Sequence, residues 1–122
     1  MLAITVDNLR GVPDVTEREE VVQGVIAFSG NYPAGGDTLS FAGTNKIQSR
    51  LPPNRVEIYE EPTAGQVATG AAFAFLKGTT QANGLLQVNT AYNTPLTAAA
   101  YPAALTTPTT TVKFRAWFPL GQ

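Results

Sequence analysis

The chain contains neither cysteine nor histidine. Their absence excludes disulfides, thiolate and imidazole metal sites, Ser-His and Cys-His nucleophile pairs, and the one side chain that titrates near neutrality unaided. Charge is also scarce: 14% of residues are Asp, Glu, Lys or Arg, against about 25% in an ordinary domain. Eight basic residues against nine acidic ones leave a net charge of −1. That balance lacks the basic excess needed to neutralise phosphates, so nucleic acid is not an expected partner. Long apolar runs are missing as well. The longest, such as Ala71 to Leu76, fall far short of the roughly 18 residues of a bilayer span, and no membrane association is expected. The opening residues, MLAITVDNLRGVPD, show no basic segment, apolar stretch and cleavage site in succession, so a secretory signal is not expected either.

What remains is a chain of 122 residues, 43% of them hydrophobic, sized for one domain with a core of its own. Thr and Ala take the positions that charges vacate. Two explanations stand side by side: an outer surface held against other proteins, whose interfaces are poor in charge at their centres, or a β-rich fold with Thr on its solvent faces.

Near the start Leu2, Ile4 and Val6 alternate with Ala3, Thr5 and Asp7, the period of a half-buried strand. Residues 1–14 read as an N-terminal arm or edge strand, broken at Gly11 and Pro13, ahead of a single domain over 15–122. Thr16-Glu17-Arg18-Glu19 has the form of a capping box. The β-branched Val21, Val22, Val25 and Ile26 favour a strand from about Glu20 to Phe28, with any helical turn confined to Val15 through Glu19. Ser29 to Asp37 packs three Gly, one Pro and one Asn ahead of its Asp, which demands an exposed turn. Gly30, Gly35, Gly36 and Asp37 are its structural residues. Strands are then expected at Thr38 to Phe41 and at Arg55 to Glu60, the latter with Val56 and Ile58 opposite Glu57 and Tyr59. Lys46 to Leu51 reads as extended up to Pro52-Pro53. Another strand or strand pair runs from Gln66 to Lys77, bent at Gly70, with Phe73 and Phe75 inward. Asn83-Gly84 signals a hairpin leading into Leu86 and Val88. Thr111 to Phe118 places Val112, Phe114, Ala116 and Phe118 inward and Lys113, Arg115 and Trp117 outward. Seven or eight short strands give an all-β fold, an antiparallel β-sandwich of jelly-roll-like type.

Residues 91–110 form a long loop rich in Ala, Thr and Pro, interrupted by Pro95, Pro102 and Pro108. Loops of this length are uncommon in compact domains unless they serve a function or are held by something. Tyr92, Leu96, Tyr101 and Leu105 imply that this one packs, either on its own domain or in a groove on a neighbour. With Leu2 and Ile4 of the arm and Trp117 on the outward side of the last strand, these four residues make up the candidate protein interface. For Trp117 three readings stay open: cover by the long loop, a protein contact, or stacking on a sugar.

The acidic groups Glu17, Glu19, Glu20 and Glu57, Glu60, Glu61 read as solvated strand faces, not as a carboxylate pair across a cleft. Asp37 has no second carboxylate beside it for calcium. Gly30 to Gly36 precedes no helix that would offer a phosphate nest. No catalytic residue, cofactor or metal is expected.

The stretch Val22 to Phe28 running into Ser29-Gly30-Asn31-Tyr32-Pro33-Ala34-Gly35-Gly36-Asp37, a strand followed by Ser-Gly-x-Tyr-x-x-Gly-Gly-Asp, resembles small structural proteins of tailed bacteriophages that decorate or cement the head. Pro52-Pro53-Asn54-Arg55-Val56-Glu57-Ile58 and the closing Val112 to Phe118 fall where that family's other strands are expected, so the resemblance spans residues 20–120. It implies a virion protein on the capsid surface, made in the host cytoplasm. Its partner would be the major capsid protein, and it would be a homo-oligomer, with a trimer favoured. Such a protein stabilises the shell by bridging neighbouring subunits and carries no catalytic residues. A near-neutral charge suits dense packing on a shell. The residues also leave open a carbohydrate- or receptor-binding β-sandwich of a virion, using Trp117, Tyr32 and Tyr59.

Overall fold

Apolar side chains at every second position dictate strands, and the fold is built almost wholly from them. The computed structural model describes residues 1–7, 14–15, 19–43, 47, 49–91, 94–107 and 111–119. In chain order the described elements are β1 (Leu2–Val6), β2 (Asp14–Val15), β3 (Glu19–Phe28), β4 (Asn31–Tyr32), β5 (Asp37–Leu39), β6 (Arg55–Glu60), β7 (Ala72–Leu76), β8 (Gly84–Ala91), β9 (Thr94–Pro95), β10 (Ala99–Ala100), the one-turn helix α1 (Ala103–Thr106) and β11 (Val112–Pro119). The first sheet runs β1-β3-β11-β6, with β2 also on β3; the second runs β5-β8-β7, with β9 on β8; β10 and β4 form a separate pair. All pairings are antiparallel.

The last strand is central to the first sheet. Its inward residues Val112, Phe114, Ala116 and Phe118 are at most 1% exposed, lying opposite Ile26, Gly24, Val22 and Glu20 of β3. On the other side Val56 and Ile58 of β6 face Ala116 and Phe114, as the alternation predicts. Phe41, which follows β5, joins the two sheets: its ring lies 5.6 Å from Phe114, 5.2 Å from Phe118 and 6.3 Å from Phe75 of β7, each edge to face. Phe28 stacks on Phe73 at 5.9 Å. Residues of both sheets thus share one core cluster, and each aromatic pair adds about 0.5–1.5 kcal/mol beyond its burial.

Several expectations are corrected. Val15 lies in β2, opposite Glu20, and not in a helical turn; residues 16–18 of the capping box, and Gly11 and Pro13, fall outside the described residues. Of the two readings of the N-terminal residues, residues 2–6 take the edge strand, paired with β3. Glu20 is not solvated but fully buried, because strand parity puts it in phase with Val22, Ile26 and Phe28. Its Oε1 accepts the Ser49 N–H at 3.0 Å, and the Ser49 hydroxyl donates to the Pro119 carbonyl at 2.7 Å. That staple occupies the segment expected to be extended; residues 47 and 49–51 form no strand. Between Gln66 and Lys77 only Ala72–Leu76 is strand. Ahead of it Gly70 turns with φ +76°, and Glu60 accepts the Thr69 N–H and hydroxyl at 2.8 and 2.7 Å. The β7–β8 hairpin forms, but Asn83-Gly84 is not a two-residue turn. Asn83 Oδ1 instead accepts the N–H groups of Thr79 and Thr80, both at 2.9 Å, and Gly84 begins β8 opposite Leu39.

Gly24 sits where β1, β3 and β11 converge. A Cβ there would collide with the Thr5 carbonyl oxygen and stand 2.8 Å from the Phe114 ring. Overpacking of this kind costs about 1–3 kcal/mol. Gly24→Ala should therefore lower the urea midpoint by about 2 kcal/mol equivalent with an unchanged m-value; an unaltered midpoint would contradict this packing.

Candidate functional site

The long segment after β8 is held to the domain at a few points. Ala99 and Ala100 pair with Tyr32 and Asn31, and the next N–H, of Tyr101, donates to the Gly30 carbonyl at 3.0 Å. This drives the Tyr101 side chain inward. Its ring meets Phe28 at 5.4 Å and Tyr32 at 5.7 Å, both edge to face, and its hydroxyl donates to Asp37 Oδ2 at 2.7 Å. The same oxygen is 2.8 Å from the Met1 ammonium, which also donates to the carbonyls of Ser29 and Asn31.

The glycine turn makes this possible. Gly30, Gly35 and Gly36 have φ of +67°, +87° and +131°, a region that side chains with a Cβ oppose. At Gly36 a Cβ would also press on Leu85 and the Leu86 carbonyl at 3.3 Å. The chain reverses there and delivers Asp37 to the interior, where a carboxylate needs hydrogen bonds or a counter-charge. Tyr101 holds its proton far above the ordinary tyrosine range. Burial is the main cause, followed by its hydrogen bond to Asp37, that carboxylate's charge, and Tyr32.

The candidate interface residues do not form one surface. Tyr101 and Leu105 are 5% and 1% exposed, so they are core residues of this chain and not contacts offered to a neighbour. Leu2, Ile4 and Leu96 are half-buried against the same core, and the Leu96 N–H donates to the Val88 carbonyl at 2.8 Å. Tyr92 lies outside the described residues. Trp117 is half-buried on the outer face of the first sheet, with the Arg55 guanidinium 4.8 Å from its ring centroid and Arg55 paired to Glu57 at 2.6 Å. Tyr59 shares that face, opposite Lys113. Tyr32 does not: it is 2% exposed, and its hydroxyl oxygen accepts the Val88 N–H at 3.3 Å. Trp117, Tyr59 and Tyr32 therefore make no aromatic row for a sugar.

Between its anchors the long segment is exposed at residues 97–100 and 102–104, a crest of Thr, Ala and Pro. Beside it, Pro102, Ala104 and Leu105 on one side and Thr69, Gly70 and Ala71 on the other, over Val88 and Thr90, line a half-open hollow of about 210 Å³. That is smaller than the roughly 300–1,000 Å³ of small-molecule sites and suits a side chain. The signal for this region lay in the distribution of charge, not in its total: from residue 62 to residue 112 the only charged residue is Lys77. Among the described residues no three His, Cys, Asp or Glu side chains gather as metal ligands. Comparison with protein-family models, curated proteins and solved structures returns no match for this chain.

Two outcomes follow from the anchor. Tyr101→Phe should cost about 1.5–3 kcal/mol, the value of a buried hydrogen bond to a charged group. Because an unfolded tyrosine ionises near pH 10 and Tyr101 in the fold resists ionisation, its contribution is complete below about pH 10 and falls as pH rises above it. The stability gap between the native chain and Tyr101→Phe, read by denaturant titration, should be flat up to that pH and shrink beyond it. Gly36→Val should cost at least about 1 kcal/mol through backbone strain alone, read as a lower melting temperature.

Proposed function

We propose that this chain is a structural virion protein that binds the outside of a tailed-phage capsid and stabilises it by bridging neighbouring subunits of the major capsid protein. Its two sheets would be the layers of a jelly-roll-like β-sandwich, and it would act by binding and not by catalysis, as a homo-oligomer. The resemblance of residues 20–120 to phage decoration proteins supports this reading. The observation that carries it is the crest, an exposed and uncharged segment fixed to the core through Tyr101 and Leu105. Interface centres are depleted of charge, and a surface already held in its bound shape loses little conformational entropy on docking. Binding only to the assembled shell then adds its free energy to shell stability.

The test is co-sedimentation of the purified chain with isolated capsid shells and, in parallel, with polysaccharide. Binding to shells, with genome release on heating moved to a higher temperature, is expected; binding to polysaccharide alone would overturn the proposal. Ala98→Glu combined with Ala103→Glu, both at exposed crest positions, should leave the fold intact and weaken shell binding at least about tenfold, or 1.4 kcal/mol.

A further inference from the structure

The strand β7 (Ala72–Leu76) ends the second sheet and pairs with β8 along one side only. On its other side its backbone groups have no ladder partner among the described residues. Natural edge strands are blunted by charge, proline or a bulge. The edge strand of the first sheet, β6, follows that rule with Arg55, Glu57 and Glu60. In contrast, β7 reads Ala-Phe-Ala-Phe-Leu and keeps an unbroken register with β8 over all five residues. Its outward side chains Ala72, Ala74 and Leu76 are exposed, Leu76 by 40%. Phe73 and Phe75 stay half-buried although they pack on the core. Among the other uncharged edges, β9 and β10 are two residues long, and β1 presents only Ala3 and Thr5 outward and is tied at its start by Met1 to Asp37.

We propose that β7 pairs with β7 of a second copy of this chain, antiparallel about a two-fold axis through Ala74, so that the two second sheets become one. An isologous contact requires one strand to complement itself, and this strand does. On the outward face each Leu76 falls opposite the partner subunit's Ala72, large against small. On the inward face Phe73 meets the partner subunit's Phe75, an aromatic cross-strand pair. Lys77, the only charge between residues 62 and 112, falls opposite Ala71 of the partner subunit, so no like charges are opposed and no ion pair is desolvated. A five-residue ladder is small beside the roughly 800 Å² per partner of a standard interface, so the association is concentration-dependent. It closes at two copies, where the phage resemblance leads to the expectation of three, and it stands independently of capsid binding.

Sedimentation velocity on the purified full chain, without shells, tests it across micromolar to near-millimolar concentrations. A monomer–dimer equilibrium is expected. Ala74→Lys and Ala74→Glu each place like charges face to face on the axis and should weaken dimerisation at least tenfold with an unchanged melting temperature, because Ala74 is exposed. An equimolar mixture of the two variants should restore the dimer. Opposed Cα atoms at this site sit about 4.5–5.5 Å apart, within disulfide reach. The variant Ala74→Cys, in a chain with no other cysteine, should therefore close a covalent dimer under diamide. A native chain that stays monomeric or runs as a trimer, or an Ala74→Lys chain that dimerises like the native one, would overturn the proposal.

Discussion

The hydrogen bond from Tyr101 to Asp37 is the constraint on which the exposed architecture depends. It brings a residue of the long loop into the core beside Phe28 and Tyr32, and with the Met1 ammonium it satisfies a carboxylate that the glycine turn delivers to the interior. A buried carboxylate without partners would cost several kcal/mol, so Asp37 couples the first strand, the turn and the crest through one satisfied charge. Remove the tyrosine hydroxyl and the crest loses its side-chain bond to Asp37, which keeps the Met1 ammonium.

The consequence is a molecule with two chemically different halves. Apart from the buried Glu20, β6 and β11 of the first sheet carry charges on its outer face, with Arg55 beside Trp117, Glu57 opposite Arg115, and Lys113 farther along the strand opposite Tyr59; Arg115 also reaches Gln23 at 3.4 Å. The second sheet and the crest carry almost none. A surface of small, uncharged side chains gains little from electrostatic steering and relies on shape and on the removal of apolar area from water. Such a surface offers little to a charged ligand.

The longer strands β3, β7 and β11 were legible because each buries one side in strict alternation. The inward set Val112, Phe114, Ala116 and Phe118 followed from period two alone, as did Val56 and Ile58. The burial of Glu20 was legible in the same parity, but its partner Ser49 is 29 residues away, and no local pattern announces a satisfied buried carboxylate. Tyr101 and Leu105 were visible as apolar residues in a proline-broken loop, yet a loop without a period has no inside face to read. Only the pairing of β10 with β4 decides that they point into this chain's own core. Asn83-Gly84 carried the chemistry of a tight turn, and the structure uses the same Asn to hold the N–H groups of Thr79 and Thr80 in a longer one.

Amide hydrogen exchange at residue level reads whether the crest is a preformed, core-anchored surface. If Tyr101 and Leu96 are held as described, their N–H groups, bonded to Gly30 and Val88, should exchange as slowly as those of Phe114 and Ala116 in the central strand, through global opening alone. Exchange of the Tyr101 and Leu96 amides at the rate of an unstructured chain, with β11 still protected, would contradict the account.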